Sequence, residues 1–224
     1  MKKHFSVAID GPSGAGKSSM AKRIAKELGF IYVDTGAIYR TVGYHMSLMG
    51  IGPRDADGVT RLLDDVNIEL RYEDGVQHMI LNGMDVTGEI RTPEMSMYAS
   101  AVSALPVVRS FLMETQRKLA RENDVIMDGR DIGTVVLPNA DVKIFLTASA
   151  EERARRRFLE LQERGDKTPY EQVLADMKKR DEQDSTRACA PLKCAEDAVV
   201  LDTSDLNREQ TVEAIRKIIG GRRK

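Results

Sequence analysis

Short apolar runs alternate along the chain with longer segments in which apolar residues recur every three or four positions. The short runs, at 5–9, 31–33, 125–127, 142–146 and 199–201, read as buried strands. The longer ones, at 17–28, 36–49, 107–122, 150–164, 170–184 and 208–219, read as amphipathic helices. Strand and helix in alternation predict an α/β fold, with a parallel sheet of five strands covered by helices. Several runs end on an aspartate, as in Ile9-Asp10, Val33-Asp34, Met127-Asp128 and Leu201-Asp202. In such folds, sites gather at the carboxyl ends of the strands.

One stretch breaks the alternation. Residues 67–86 read as three strands joined by turns at Glu73-Asp74-Gly75 and Asn82-Gly83, the second a strong hairpin signal because both residues tolerate positive φ. A small antiparallel insertion is expected there, flanked by helices at 55–65 and 92–104. The 224 residues suit a single domain, 1–224, carrying such an insertion.

Composition narrows the function classes. Charged residues make up 31% of the chain, but 34 Lys and Arg against 35 Asp and Glu leave a formal net charge of -1. Any basic site must therefore be local. Aromatic residues are 5% and Trp is absent, so stacking platforms for nucleic acid are not expected. Cys189 and Cys194 are too few for a disulfide scaffold and read as free thiols. His4, His45 and His78 are scattered without ligand spacing. Asp10 interrupts the apolar stretch after Met1-Lys2-Lys3 before a signal peptide could form, and no run has transmembrane length. A cytoplasmic protein with no membrane partner is expected.

The chemistry starts where the first strand ends. Gly11, Pro12, Ser13, Gly14, Ala15, Gly16, Lys17 and Ser18 fit the phosphate-binding loop pattern, placed between strand and helix as its mechanism requires. Backbone N–H groups and the helix N-terminus would meet phosphate, Lys17 would add a point charge, and Ser18 would offer a hydroxyl to Mg²⁺. Arg40, Arg109, Arg130, Arg180 and Arg187 stand near strand ends, helix starts or polar turns. As a set they point to a second phosphate site opposite the loop. The cluster Arg153, Arg155, Arg156 and Arg157 reads either as a solvated helix face or as part of a lid hinged at Glu163-Arg164-Gly165-Asp166.

Several separated motifs together identify a family. Asp10-Gly-Pro-Ser-Gly-Ala-Gly-Lys17, Asp34-Thr-Gly-Ala-Ile-Tyr-Arg40, Val86-Thr-Gly-Glu-Ile-Arg-Thr-Pro93, Asp128-Gly-Arg-Asp-Ile-Gly-Thr134 and Arg187-Ala-Cys-Ala-Pro-Leu192 resemble the bacterial cytidylate kinases, in that family's order and across nearly the whole chain. The resemblance implies a P-loop nucleoside monophosphate kinase: a three-layer α/β fold with a five-stranded parallel sheet, a helical lid at 150–170, and a monophosphate-binding lobe at 55–104 that includes the β insertion at 67–86. It implies a monomer that takes ATP with Mg²⁺ and phosphorylates cytidine or deoxycytidine monophosphate, with no nucleic-acid partner.

Residue by residue, the resemblance places ATP on the loop from Gly11 to Ser18 and on Ser19. Thr35, standing where relatives carry Ser, would hold the acceptor phosphate together with Arg40, Arg130 and Arg187. Ser100, Arg109 and Asp131 would read the base, and Arg180 and Asp184 the ribose. Lys17, Arg130, Arg187, Arg153 and Arg157 would act in catalysis, the last two from the lid. Cytosine suits this base set, since Asp131 and Ser100 can accept from its amino group while Arg109 donates to its ring acceptors. Asp131 could instead cap a turn, Arg180 and Asp184 could form a helix salt bridge, and Asp128 could orient Mg²⁺ through water or anchor the turn at Gly129.

Overall fold

A computed structural model describes residues 4–222. The five expected strands form one parallel sheet: β1 (Ser6–Asp10), β2 (Ile31–Asp34), β6 (Val125–Gly129), β7 (Val142–Thr147) and β8 (Val199–Asp202), in the order β2-β6-β1-β7-β8. Register aligns their carboxyl ends, with Asp10 opposite Gly129 and Asp34 opposite Asp128. Asp34 and Asp128 thus stand side by side, while Asp10 lies one register position further along, on the other face of the sheet.

Strand residues alternate faces, and the two faces have separate cores. Val7, Ile9, Ile126 and Ile144 pack under α1 (Lys17–Leu28) and α8 (Arg208–Gly220). Ala8, Val33, Val125 and Met127 pack under α2 (Thr35–Leu48) and α5 (Pro106–Glu122). The result is the three-layer α/β fold expected. A third, small apolar cluster of Ala154, Val173 and Met177 joins α6 (Ala150–Glu163) to α7 (Tyr170–Thr186). Among the described residues no single helix is long and apolar enough to cross a membrane.

The insertion is an antiparallel sheet of β3 (Ile68–Glu73), β4 (Val76–Leu81) and β5 (Met84–Asp85). Both hairpins turn on two residues with positive φ, Asp74-Gly75 and Asn82-Gly83. That is the twist-matched turn geometry. Before it, the expected helix divides into α3 (Ala56–Leu62) and a 3-10 turn (Leu63–Asp65). After it, α4 (Pro93–Val102) starts with the Thr92 hydroxyl accepting from Met95 N.

One element has no counterpart in the periodicity. Residues Ile132–Val136 form a single wide helical turn, in which Val136 and Leu137 donate five residues back to the carbonyls of Asp131 and Ile132. Its organiser is Asp10, whose carboxylate accepts from Ile132 N at 2.8 Å and Gly133 N at 2.7 Å.

Candidate active site

The loop between β1 and α1 is shaped by close backbone approach. Gly11 has φ +147, and a Cβ there would lie 1.9 Å from the carbonyl oxygen of Leu146. Gly16, at φ 86, begins α1 with no side-chain cap, so the first amides of the helix remain for an anion. Lys17 is buried and donates from Nζ to the Pro12 carbonyl at 2.7 Å. Burial first, and then Arg130, lower its ammonium pKa well below the ordinary value. Asp128 and Asp10 oppose that shift, and a phosphate here would add further negative charge beside the cation.

Beside the loop, the Ser18 hydroxyl donates to Asp128 Oδ2 and the Tyr32 hydroxyl to Oδ1, both at 2.8 Å. Burial first, and then Asp34, push the Asp128 carboxyl up. A buried carboxyl whose proton affinity is raised by a neighbouring buried carboxyl favours a cation. The hydroxyl and carboxylate oxygens of Ser18 and Asp128 are the hard donors that Mg²⁺ takes, so the residues present fit that ion. Asp128 therefore joins the site through Ser18, beyond any role at the Gly129 turn.

Across the cleft stands a wall of guanidinium groups brought from several elements. Arg40 of α2 donates to Asp34 Oδ2 at 3.0 Å. Arg130, just after β6, donates from Nε to Asp184 Oδ2 at 2.7 Å. Asp184 thus pairs with Arg130, and no bond joins it to Arg180 four residues earlier. The buried Nε atoms of both Arg40 and Arg180 have no hydrogen-bond partner. Burial, then Arg130 and then Arg40 act to lower the Arg180 pKa, with Asp184 and Asp181 opposing. Crowded cations with unused donors fit a phosphate dianion.

At the closed end of the cleft, Asp131 lies between two arginines. Arg109 NH2 bonds its Oδ2, and Arg187 NH2 lies 3.4 Å from its Oδ1. Burial pushes the Asp131 carboxyl up, while Arg109, Arg187 and then Arg130 pull it back. Ser103, at the end of α4, ties the group together: its carbonyl accepts from Arg109 NH1 at 3.1 Å, and its hydroxyl accepts from Arg187 NH1 at 3.2 Å while donating to Ser100 O at 2.9 Å. Ser100 lines the same cleft.

Three placements differ from expectation. The buried Thr35 hydroxyl donates to the Asp128 carbonyl at 2.7 Å, so its one proton binds two strand ends together and is not offered to phosphate. Arg187 turns toward Asp131 and Ser103, at the base end. Arg153 is buried and fully engaged: Nε donates to Ala148 O at 2.9 Å, NH1 to Ser13 O at 3.0 Å, and NH2 to Asp181 Oδ2 at 2.7 Å. It fastens the lid helix to the phosphate loop.

The helical wheel of α6 explains the lid. Residues 152, 155, 156, 159, 160 and 163 form the cleft stripe. Arg153 and Arg157 lie one turn apart on another face, with Arg157 paired to Glu160 at 3.2 Å. Arg155 and Arg156 are the lid arginines on the cleft wall, both held by Glu152. Arg156 also donates to the Thr203 carbonyl at 2.7 Å. The cleft continues past Thr203 to Asn207, the N-cap of α8, and to Thr211 within it, and its volume is about 690 Å³, ample for two nucleotides' polar ends.

Comparison with known proteins gives the fold and the family. Among solved structures, an uncharacterized protein from Eubacterium ventriosum superposes with a TM-score of 0.55 at 13% identity, covering 98% of this chain and 100% of its own, which speaks to the fold alone. The cytidylate kinase of Caldicellulosiruptor bescii is 50% identical over 216 residues, 96% of each chain. That of Carboxydothermus hydrogenoformans is 50% identical over 214 residues, again 96% of each, and that of Geobacter sulfurreducens 48% over 213, covering 95% of this chain and 91% of its own. The cytidylate kinase family profile matches residues 7–220, from the first sheet strand to the end of the last helix, and the chain belongs to that family.

Proposed function

We propose that the protein transfers the γ-phosphoryl group of ATP to cytidine monophosphate or deoxycytidine monophosphate, giving ADP and the diphosphate. The observation that carries this reading is Asp131, a buried acceptor flanked by Arg109 and Arg187, with the guanidinium wall between it and the phosphate loop. Cytosine brings an amino donor to the carboxylate and ring acceptors to the arginines. Uracil would set a carbonyl against the carboxylate, and an unpaired buried polar group can discriminate by about 10⁴-fold.

The acceptor phosphate is largely ionised near neutral pH, with a second pKa of about 6, so no general base is required. Positioning and charge stabilisation supply the catalysis. Lys17 leaves Pro12 O for the β- and γ-phosphates, while Arg40, Arg130 and Arg180, which line the cleft, offer their guanidinium groups to the acceptor. Arg180 and Asp184 adjoin the ribose. Mg²⁺, held through Ser18 and Asp128, would neutralise charge on the donor phosphates. Arg155 and Arg156 close over the donor from α6.

Residues 55–104 serve in this reading as the monophosphate-binding lobe and 150–170 as the lid, which excludes water so that phosphate passes to the nucleotide and not to solvent. The apolar cluster of Ala154, Val173 and Met177 joins α6 of the lid to α7 beyond it, so the two helices would move together. A monomer in the cytoplasm goes with the same reading.

A coupled assay for ADP across cytidine, deoxycytidine, uridine and adenosine monophosphates tests it, with Asp131→Asn beside the parent. Turnover of the two cytosine nucleotides should lead by orders of magnitude, and Asp131→Asn should narrow the gap to uridine monophosphate. A parent that prefers uridine monophosphate would overturn the base assignment. ATP binding with no transfer to any monophosphate would point instead to a nucleotide-driven switch.

A further inference from the structure

On β4, Gln77, Met79 and Leu81 share one face, since successive strand residues alternate. That face is buried, and Met79 and Leu81 belong to the main core. Gln77 is the polar exception, only 7% exposed. A side-chain amide removed from water must find partners, and Gln77 finds both on one residue outside the insertion. Its Oε1 accepts the Asp34 N–H at 2.8 Å, and its Nε2 donates to the Asp34 carbonyl at 3.3 Å, with Met79 Sδ 3.1 Å away.

The position of Asp34 gives this contact its meaning. β2 is the edge strand of the five-stranded sheet, and the N–H and C=O of one strand residue point to the same side. Gln77 therefore occupies, with one side chain, the place of a neighbouring strand at the last residue of β2. Asp34 in turn uses both carboxylate oxygens: Oδ1 accepts from Ala37 N at 2.8 Å, starting α2, and Oδ2 accepts from Arg40 at 3.0 Å.

We propose that Gln77 is a positioning residue for the phosphorylation reaction, through which the antiparallel insertion sets Asp34 and hence the guanidinium of Arg40 at the acceptor phosphate. The inference rests on the reading of Arg40 as a ligand of the cytidine monophosphate phosphate. The insertion then has a mechanical role, bracing the acceptor half of the cleft from outside the sheet without itself touching the nucleotide.

The test compares Gln77→Leu and Gln77→Glu with the full-length parent. The carboxylate introduced by Gln77→Glu would keep an acceptor for the Asp34 N–H but would set its second oxygen against the Asp34 carbonyl. For both variants, KM and the calorimetric Kd for cytidine monophosphate should rise about tenfold or more, as losing a buried hydrogen-bond pair implies, while KM for ATP stays within about twofold. In an Arg40→Met background the same substitutions should change the acceptor KM by less than about twofold, because the route they act through is already gone. Parallel rises in both KM values, an unchanged acceptor Kd, or additive effects with Arg40→Met would overturn the proposal. If Gln77→Leu does not fold, Gln77→Glu carries the same expectations. A parent that fails to phosphorylate cytidine monophosphate overturns the functional reading itself. A parent that does so, with variants indistinguishable from it, overturns the bracing role alone.

Discussion

Asp10 and Gly133 are joined across 123 positions of sequence by a 2.7 Å hydrogen bond, amide to carboxylate. Ile132 N takes the other oxygen at 2.8 Å, so the last residue of β1 sets the wide turn that follows Arg130 and Asp131. The phosphate loop and the acceptor site consequently share a support, because Asp10 immediately precedes Gly11. Asp10→Asn keeps the shape but sets an NH₂ group against one of the two amides. We expect KM for cytidine monophosphate to rise about tenfold, the equivalent of losing about 1.4 kcal/mol of positioning. Steady-state kinetics with each substrate varied in turn would show it, and an unchanged acceptor KM would remove Asp10 from the site's architecture.

The same carboxyl gives a pH signature. Burial outweighs the two amide donors and raises its pKa from 3.8 to about 6. A folded-state pKa above the unfolded value means that the native protein holds this proton more tightly. Stability from this group is therefore fullest near pH 4 and is lost as pH rises to about 6. The stability of the parent relative to Asp10→Asn should fall over that window and level off above it. Denaturant unfolding of both proteins from about pH 4.5 to about pH 8 measures the difference, and a flat difference would refute it.

What can be read from sequence is what is local. Strand and helix periodicities, the Asp74-Gly75 and Asn82-Gly83 hairpins, and the loop from Gly11 to Ser18 each signal within a dozen residues, and each has its counterpart in the structure. The wide turn at 132–136 has no such signal, because the residue that organises it lies on another strand. Gln77 reads as one more residue of an alternating strand until its partner on β2 is seen. Ser103 and Thr203 carry no motif, and they matter only because Arg109, Arg187 and Arg156 converge on them. The cleft-facing arginines of the lid escape for a related reason: helical spacing tells which residues share a face, but not which face meets the cleft.

Ser103 is a small residue that holds two base-end arginines at once. Ser103→Ala removes the hydroxyl that accepts from Arg187 and donates to Ser100 O, and leaves the carbonyl that holds Arg109. Acceptor KM should rise about five- to tenfold, for one hydrogen bond to a charged group, and preference for cytidine over uridine monophosphate should weaken. Wild-type selectivity in Ser103→Ala would show that Arg187 needs no such tether.

Asp128→Asn separates the metal reading from a purely structural one. The amide can still accept from Tyr32 or Ser18 but no longer offers a negative charge to a hard cation. Half-saturation by Mg²⁺ should shift upward about tenfold or more, with kcat reduced even at high Mg²⁺. A titration of activity against Mg²⁺ decides the matter: loss of thermal stability with an unaltered Mg²⁺ curve would leave Asp128 as an anchor for Ser18 and Tyr32 only.

The arginines of α6 should behave differently, because only their neighbours differ. Arg153→Met breaks contacts to Ala148, Ser13 and Asp181. It leaves Asp181, a quarter exposed, without its partner, which should lower stability by about 2–4 kcal/mol, the figure for a buried pair discounted for solvent. Arg156→Met leaves the fold but loosens the link to Thr203 on the donor side, so KM for ATP should rise while the acceptor KM holds. Arg157→Met removes an exposed pair with Glu160, and little should change in stability, since such pairs contribute about 0–1 kcal/mol. Unfolding curves and two-substrate kinetics on the three variants would test the assignment. A large fall in kcat for Arg157→Met would mean that the closing lid rotates this face of α6 into the cleft, and would return Arg157 to the catalytic set.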